Sequence, residues 1–154
     1  MNFEQALRAI SQPIRATALP VSLAHMHQLL DILGNPQQAY PSVVVGGSVG
    51  KGTTCHQIAT LLGGHSKVGL FTSPHLHSFR ERFSINSALM TQAEFTNAVS
   101  VIQHAAAQTS TIYSTFELST VLALWWFRQQ AVDIAVLEIG IGGRFDAVNI
   151  VANT

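Results

Sequence analysis

The chain reads as an α/β domain built on a mostly parallel sheet, and three observations predict it. Val43 to Val45, Lys67 to Phe71 and Asp133 to Leu137 are short apolar runs of the kind buried in parallel sheets. Helical patterns separate them, and strands alternating with helices imply right-handed crossovers. The first run leads at once into a glycine-rich turn carrying one lysine, Gly46-Gly47-Ser48-Val49-Gly50-Lys51-Gly52-Thr53-Thr54, and then into a helix over 55–62.

At 154 residues the chain is long enough for one domain with a real core. It is 47% hydrophobic but only 10% charged, against about a quarter in ordinary domains. That suits a core-rich α/β fold, or a surface covered by a further piece. Eight basic and eight acidic residues cancel, so neither nucleic acid nor an anionic membrane is indicated as a partner. The single Cys55 excludes an internal disulfide and a cysteine-based metal cluster, and fits a reducing compartment. No apolar run is long enough to span a bilayer, and the first ten residues lack a signal-peptide core. A cytoplasmic protein is expected. Nothing in the sequence fixes an oligomeric state.

Residues 3–10 place Phe3, Ala6, Leu7 and Ile10 on one face of a short helix. Residues 11–20, with two prolines, form a connector. Ser22 is placed to cap a second helix through Leu23, Met26, Leu29, Leu30 and Leu33, which Gly34-Asn35-Pro36 ends. His25 and His27 lie two apart on it and read as packing or surface residues rather than ligands. After the lysine turn and its helix, Gly63-Gly64 breaks the chain before the second strand. Thr72-Ser73-Pro74-His75-Leu76-His77 follows at that strand's carboxyl end, where open α/β sheets bind ligands. Phe79 to Ile85 alternates apolar with charged residues, apart from Glu81, and reads as an edge strand or extended loop. Thr91 and Glu94 make a capping box for a helix reaching about Gln108. Residues 116–130 are apolar nearly all round, which predicts a helix buried on two sides with Trp125, Trp126 and Phe127 as core fillers. The third strand closes on Glu138, followed by three glycines and Arg144-Phe145-Asp146-Ala147-Val148-Asn149.

Glycines let backbone N–H groups converge on an anion, a helix N-terminus adds partial positive charge, and a lysine neutralises phosphoryl oxygens. Gly47, Ser48, Gly50, Lys51, Gly52, Thr53 and Thr54 are therefore candidate phosphate-binding residues. The spacing departs from G-x-x-x-x-G-K-[ST]: Val45 stands at the first glycine and Gly52 at the hydroxyl. A plain turn with a solvated lysine has the same look, but the flanking strand and helix favour phosphate. Glu138, an acid closing an apolar strand beside such a loop, is placed like a carboxylate that holds Mg²⁺. Alone it would read as a solvated strand end. Ser73 is the candidate for the hydroxyl that Gly52 displaces, and His75 and His77 have a weak claim on substrate. Glu117 is accounted for by the helix dipole, with a substrate-facing role as the alternative. Arg144 and Asp146 either pair with each other or orient phosphate and the loop around Glu138.

VVGGSVGKGTT, TSPHL with FRER, TFE and VLEIGIGGRFDAVNIV together resemble, in that order, the folylpolyglutamate synthase and dihydrofolate synthase family of the Mur ligase superfamily. The family's phosphate loop reads G-T-N-G-K-G-[ST] and its later signature E-x-G-x-G-G-R-x-D-A-T-N, and Leu33-Gly34-Asn35-Pro36-Gln37 resembles the segment ahead of the loop. The resemblance implies a P-loop NTPase-like three-layer domain of the Mur ligase central type. It also implies an ADP-forming ligase using ATP and Mg²⁺. ATP would phosphorylate a carboxylate of dihydropteroate or a reduced folate, and the amino group of L-glutamate would attack the acyl phosphate. By the same resemblance Lys51 and its neighbours hold phosphate, Ser73 and Glu138 ligate Mg²⁺, and Pro74, His75, Phe116 and Glu117 lie toward the acceptor. Lys51 and Glu138 are the catalytic candidates.

This chain departs from the family at Val49, which replaces asparagine, and at Val148, which replaces threonine. Family members also carry a second, C-terminal domain. Residues 1–154 are therefore expected to be an incomplete N-terminal portion of the ATP-binding domain, inactive by itself. A nucleotide-binding module that catalyses nothing is the other expectation. Lys51-Gly52-Thr53 and the SPHL loop speak against a Mur-type ligase acting on peptidoglycan precursors.

Overall fold

Five strands form one sheet in the computed structural model, which describes residues 1–11 and 23–151. In chain order they are β1 (Ser42–Val45), β2 (Val68–Phe71), β3 (Phe83–Ile85), β4 (Ala88–Leu89) and β5 (Ile134–Glu138). Across the sheet they run β1-β5-β2-β3-β4. The first three positions are parallel, while β3 and β4 add antiparallel at one side. Five α-helices accompany them among the described residues: α1 (Phe3–Ser11), α2 (Ala24–Ile32), α3 (Lys51–Gly63), α4 (Gln92–Ala106) and α5 (Thr115–Gln129).

Successive side chains of a strand point to opposite faces, and the central strands β2 and β5 are apolar up to Glu138 because both faces are covered. Val68 and Leu70 of β2 and Val136 of β5 pack with Cys55 under α3. Phe71, Ala135 and Leu137 face the other way, into the larger core with α5, α4, α2 and α1. Gly69 lets α5 close on the sheet, since a Cβ there would fall 2.8 Å from the Phe127 ring. Glu94 completes its capping box with Thr91 and also accepts from Trp126 Nε1 (3.2 Å) and Gln130 Nε2 (3.1 Å), which ties α4 to α5.

Several boundaries differ from the sequence reading. β1 is an edge strand, so its valines are half-buried rather than enclosed. α3 begins at Lys51, not Cys55, so the lysine belongs to the first helical turn. Ser22 and most of the connector lie outside the described residues, and Leu23, the residue ahead of α2, supplies no side-chain cap. Phe79–Arg82 is a 3-10 turn, and only Phe83–Ile85 is a strand, paired on both sides. Asn86 and Ser87, both at positive φ, turn β3 into β4. α4 ends at Ala106, two residues earlier than expected.

Candidate functional site at the strand tips

Parallel strands end on the same side, so the loops after β1, β5 and β2 open along one edge of the sheet. β5 lies between the other two. Val45 is in register with Glu138, and Phe71 with Leu137. Ile139 N–H donates to the Val45 carbonyl at 3.0 Å, which extends the β1–β5 contact past the strand ends.

The loop at 46–50 is exposed, with Gly47 at φ +145° and Gly50 at φ +79°, conformations that suit glycine. α3 starts directly from it, so its first-turn N–H groups, which have no intrahelical acceptor, open toward the loop. Lys51 Nζ folds back to donate to the Gly47 carbonyl at 3.0 Å. Ser48, Thr53 and Thr54 are exposed around this turn, and Val49 at its tip is 93% exposed.

Glu138 is 5% exposed. Its Oε2 accepts from the Ser73 backbone N–H at 2.8 Å, and among the described residues its carboxylate has no other hydrogen bond and no ion pair. Gly52 of α3 faces it directly, since a Cβ there would meet both carboxylate oxygens at 3.6 Å. The structure thus brings together the start of α3, Glu138 and Ser73. Nearby, burial and then the Glu138 charge push the Cys55 thiol up to about 12.

No three His, Cys, Asp or Glu side chains gather around a possible metal position among the described residues. A buried carboxylate with spare oxygen lone pairs, a serine beside it and an open glycine-rich loop do fit one ion. Mg²⁺ takes one or two carboxylates and fills its remaining positions with phosphate and water oxygens.

The loop after β2, which includes the cis Ser73–Pro74 bond, is held by Glu81. Its carboxylate accepts from the N–H groups of Leu76 (2.8 Å), His77 (3.1 Å) and Ser78 (2.7 Å). Those of Leu76 and Ser78 are the main cause that holds its carboxyl below the usual range. Arg82 Nε donates to His75 Nδ1 at 3.1 Å, and partial burial followed by the Arg82 charge lowers the imidazole's pKa.

Arg144 and Asp146 do not pair. Asp146 is buried and accepts from the N–H groups of Gly140 (3.0 Å), Ile141 (2.9 Å) and Val148 (2.9 Å), while exposed Arg144 lies 5.6 Å from the Phe145 ring centre. Val148 is wholly buried, so its side chain belongs to the core and not to an open site loop. Glu117 turns inward as well, accepting from Ser114 N–H at 2.7 Å and meeting His25 Nε2 at 2.6 Å. Phe116 packs on the backbone of Gly140, where a Cβ would fall 2.6 Å from the ring, and lies 5.9 Å from the Phe71 ring.

Sequence reasoning passed over Glu81 and the His25–Glu117 contact. Glu81 did leave a signal, as the one charge in the apolar phase of its segment. The contact spans 92 residues and left none.

No family model matches the chain. The folylpolyglutamate synthase of Lacticaseibacillus casei is 40% identical over 129 residues, which are 80% of this chain and 30% of that protein. The dihydrofolate synthase/folylpolyglutamate synthase of Mycobacterium tuberculosis is 34% identical over 147 residues, 88% of this chain and again 30% of the relative. Among solved structures, an FPGS–AMPPCP–folate complex superposes with a TM-score of 0.91 at 36% identity, covering 98% of this chain and 38% of that one. The chain thus spans about a third of the length of these proteins.

Proposed function

We propose, since the chain belongs to the folylpolyglutamate synthase/dihydrofolate synthase family, that it carries the phosphate-binding part of an ATP-dependent ligase joining L-glutamate to dihydropteroate or a reduced folate. In this reading it is an N-terminal portion of a P-loop, Mur-ligase-type domain. The observation that supports it most is the buried Glu138 carboxylate, which among the described residues takes one hydrogen bond, from Ser73, and faces the first turn of the lysine-bearing helix.

A carboxylate is a poor electrophile until it gains a phosphate leaving group. In the proposed reaction the acceptor's carboxylate oxygen attacks the γ-phosphorus of ATP and ADP leaves. The glutamate amine then attacks the acyl carbon, loses a proton, and inorganic phosphate leaves. Lys51 and the N–H groups at the start of α3 would hold and neutralise the phosphates. Glu138 and the Ser73 hydroxyl would hold Mg²⁺, which when bound shields charge on the phosphate oxygens. Pro74, His75, Phe116, Glu117, Arg144 and Asp146 then shape the surrounding loops, with Pro74 and Arg144 the exposed members.

Two measurements test this. Equilibrium binding of Mg²⁺–AMPPCP to the chain is expected, with a loss of about tenfold or more in Lys51→Ala; a chain that binds none has no phosphate site. ADP release is then followed in a chimera whose matching segment of the L. casei enzyme is replaced by this chain. Release that proceeds without glutamate or without a pteroate or folate acceptor would sink the ligase assignment.

A further inference from the structure

We propose that Glu81 is a positioning residue, whose carboxylate clasps the backbone of the loop from Ser73 to Ser78 and thereby sets Ser73 against Glu138. The significance of that contact for cation binding rests on the function proposed above; the contact itself does not. Apart from His75, which accepts from Arg82 Nε at 3.1 Å and lies 5.3 Å from the Phe79 ring centre, the side chains of the loop have little to hold them. Leu76 is 85% exposed, and Pro74 and His77 are also in solvent, so apolar burial does not fix the loop's path.

Every backbone N–H hydrogen bond it makes among the described residues ends on a carboxylate: Ser73 on Glu138, and Leu76, His77 and Ser78 on Glu81. The loop is strung between two anions, one at the strand tip and one on the 3-10 turn. That turn is a firm anchor. Phe79 is buried against Phe83 and Phe95, Arg80 Nη1 donates to the Met90 carbonyl at 2.7 Å, and Arg82 lies 4.8 Å from the Phe79 ring centre. Thr72 N–H donates to the Arg82 carbonyl at 3.1 Å, closing the base of the loop.

A carboxylate offers acceptors only, so it can take three N–H groups at once. A carboxamide of the same size turns one acceptor into a donor that meets an N–H head-on. Glu81→Gln therefore opens the clasp with little change of volume, and Glu81→Asp, which keeps the charge on a shorter arm, is the second variant.

The test uses the whole chain and two readouts. In amide hydrogen exchange, Leu76, His77, Ser78 and also Ser73 should exchange about tenfold faster or more in either variant, with Leu122 of α5 unchanged as the check on folding. In nucleotide binding, the gain in AMPPCP affinity on adding Mg²⁺ should fall about tenfold while affinity without Mg²⁺ stays the same. Unaltered exchange at Ser73 overturns the proposal. So does an equal loss of affinity with and without Mg²⁺, which would mark Glu81 as a support of the fold alone. Should the native chain bind no nucleotide, the proposed function fails, and the Ser73 amide still decides whether Glu81 positions it.

Discussion

Replacing Gly52 by alanine should move stability and cation binding in opposite directions. Gly52 is the second residue of α3, and the added methyl would stand 3.6 Å from both oxygens of Glu138, an ordinary contact. No clash opposes it, and alanine in a helix gains about 0.5–1 kcal/mol over glycine through lower chain entropy. At the first turn the lower end applies, so Tm should rise by about 1–2 °C in a chain of this size. The same methyl closes the approach to the carboxylate. Mg²⁺ lies about 2.1 Å from its oxygen ligands. An ion held by the carboxylate on the line toward α3 would come within about 1.5 Å of a carbon placed 3.6 Å from those oxygens, so the methyl would close that direction of approach. The Mg²⁺-dependent part of AMPPCP affinity should therefore drop by more than about tenfold, or ~1.4 kcal/mol. Thermal melts and titrations with and without Mg²⁺ measure both quantities. Undiminished Mg²⁺-dependent binding in Gly52→Ala would refute the cation position.

Gly140→Ala should cost about 1–3 kcal/mol by overpacking against the Phe116 ring, 2.6 Å from the new Cβ. That cost should vanish on a Phe116→Ala background, and additive losses in a denaturant double-mutant cycle would contradict the packing. Cys55 is fully buried with its thiol pushed up to about 12, so only about one in ten thousand is thiolate at pH 8. Iodoacetamide should label it only after denaturation, and rapid native labelling would mean that α3 leaves the sheet. The loop N–H groups hold the Glu81 carboxyl below its ordinary 4.5. A folded pKa below the unfolded one stabilises fully above pH 4.5, and that contribution is lost as pH falls through the folded value. The acid limb of a Tm-against-pH curve should therefore flatten in Glu81→Gln; an unchanged limb would count against the clasp.

What could be read from the sequence was local or periodic. The capping box of Thr91 and Glu94 lies within four residues and forms as the spacing predicts. The three apolar runs became the three parallel strands, and in β2 and β5 burial on both faces leaves few polar positions to blur the pattern. Phe79 to Ile85 misled because a 3-10 turn followed by a strand can mimic alternation over seven residues. Glu81 broke the pattern because it points back into a loop and not along a strand. Asn86-Ser87 is a weaker hairpin signal than Asn-Gly, although both residues adopt the positive φ such a turn needs. Arg144, Asp146 and Val148 sit in an irregular stretch with no period to say which way a side chain faces. Three backbone donors claim Asp146 and the core claims Val148. The proximity of Glu138 to Ser73 and to the start of α3 followed from strand ends in a parallel sheet, whereas the roles given to these residues are the proposal above.

The order of the strands matters more to this arrangement than any single residue. β1 leads through α3 on one face of the sheet to β2, skipping a place. Beyond β2 the chain adds β3 and β4, then returns through α4 and α5 on the other face to β5, which fills the gap. Reversing both the direction of travel and the face keeps the hand of the two crossovers the same, as the preference for one hand in parallel connections requires. Only a middle strand has a neighbour's loop on each side of its tip, and that lets one carboxylate face α3 and accept from Ser73 together. Register completes the placement. Because side chains alternate, a slip of β5 by one residue against Val45 and Phe71 would turn Glu138 to the opposite face and bring Leu137 to its place. Such a slip is opposed by the packing, since Ala135 and Leu137 fill one core and Val136 the other, and the exchange would mismatch their volumes and carry the Glu138 carboxylate away from α3. The packing of residues that touch no ligand thus fixes where the acid stands.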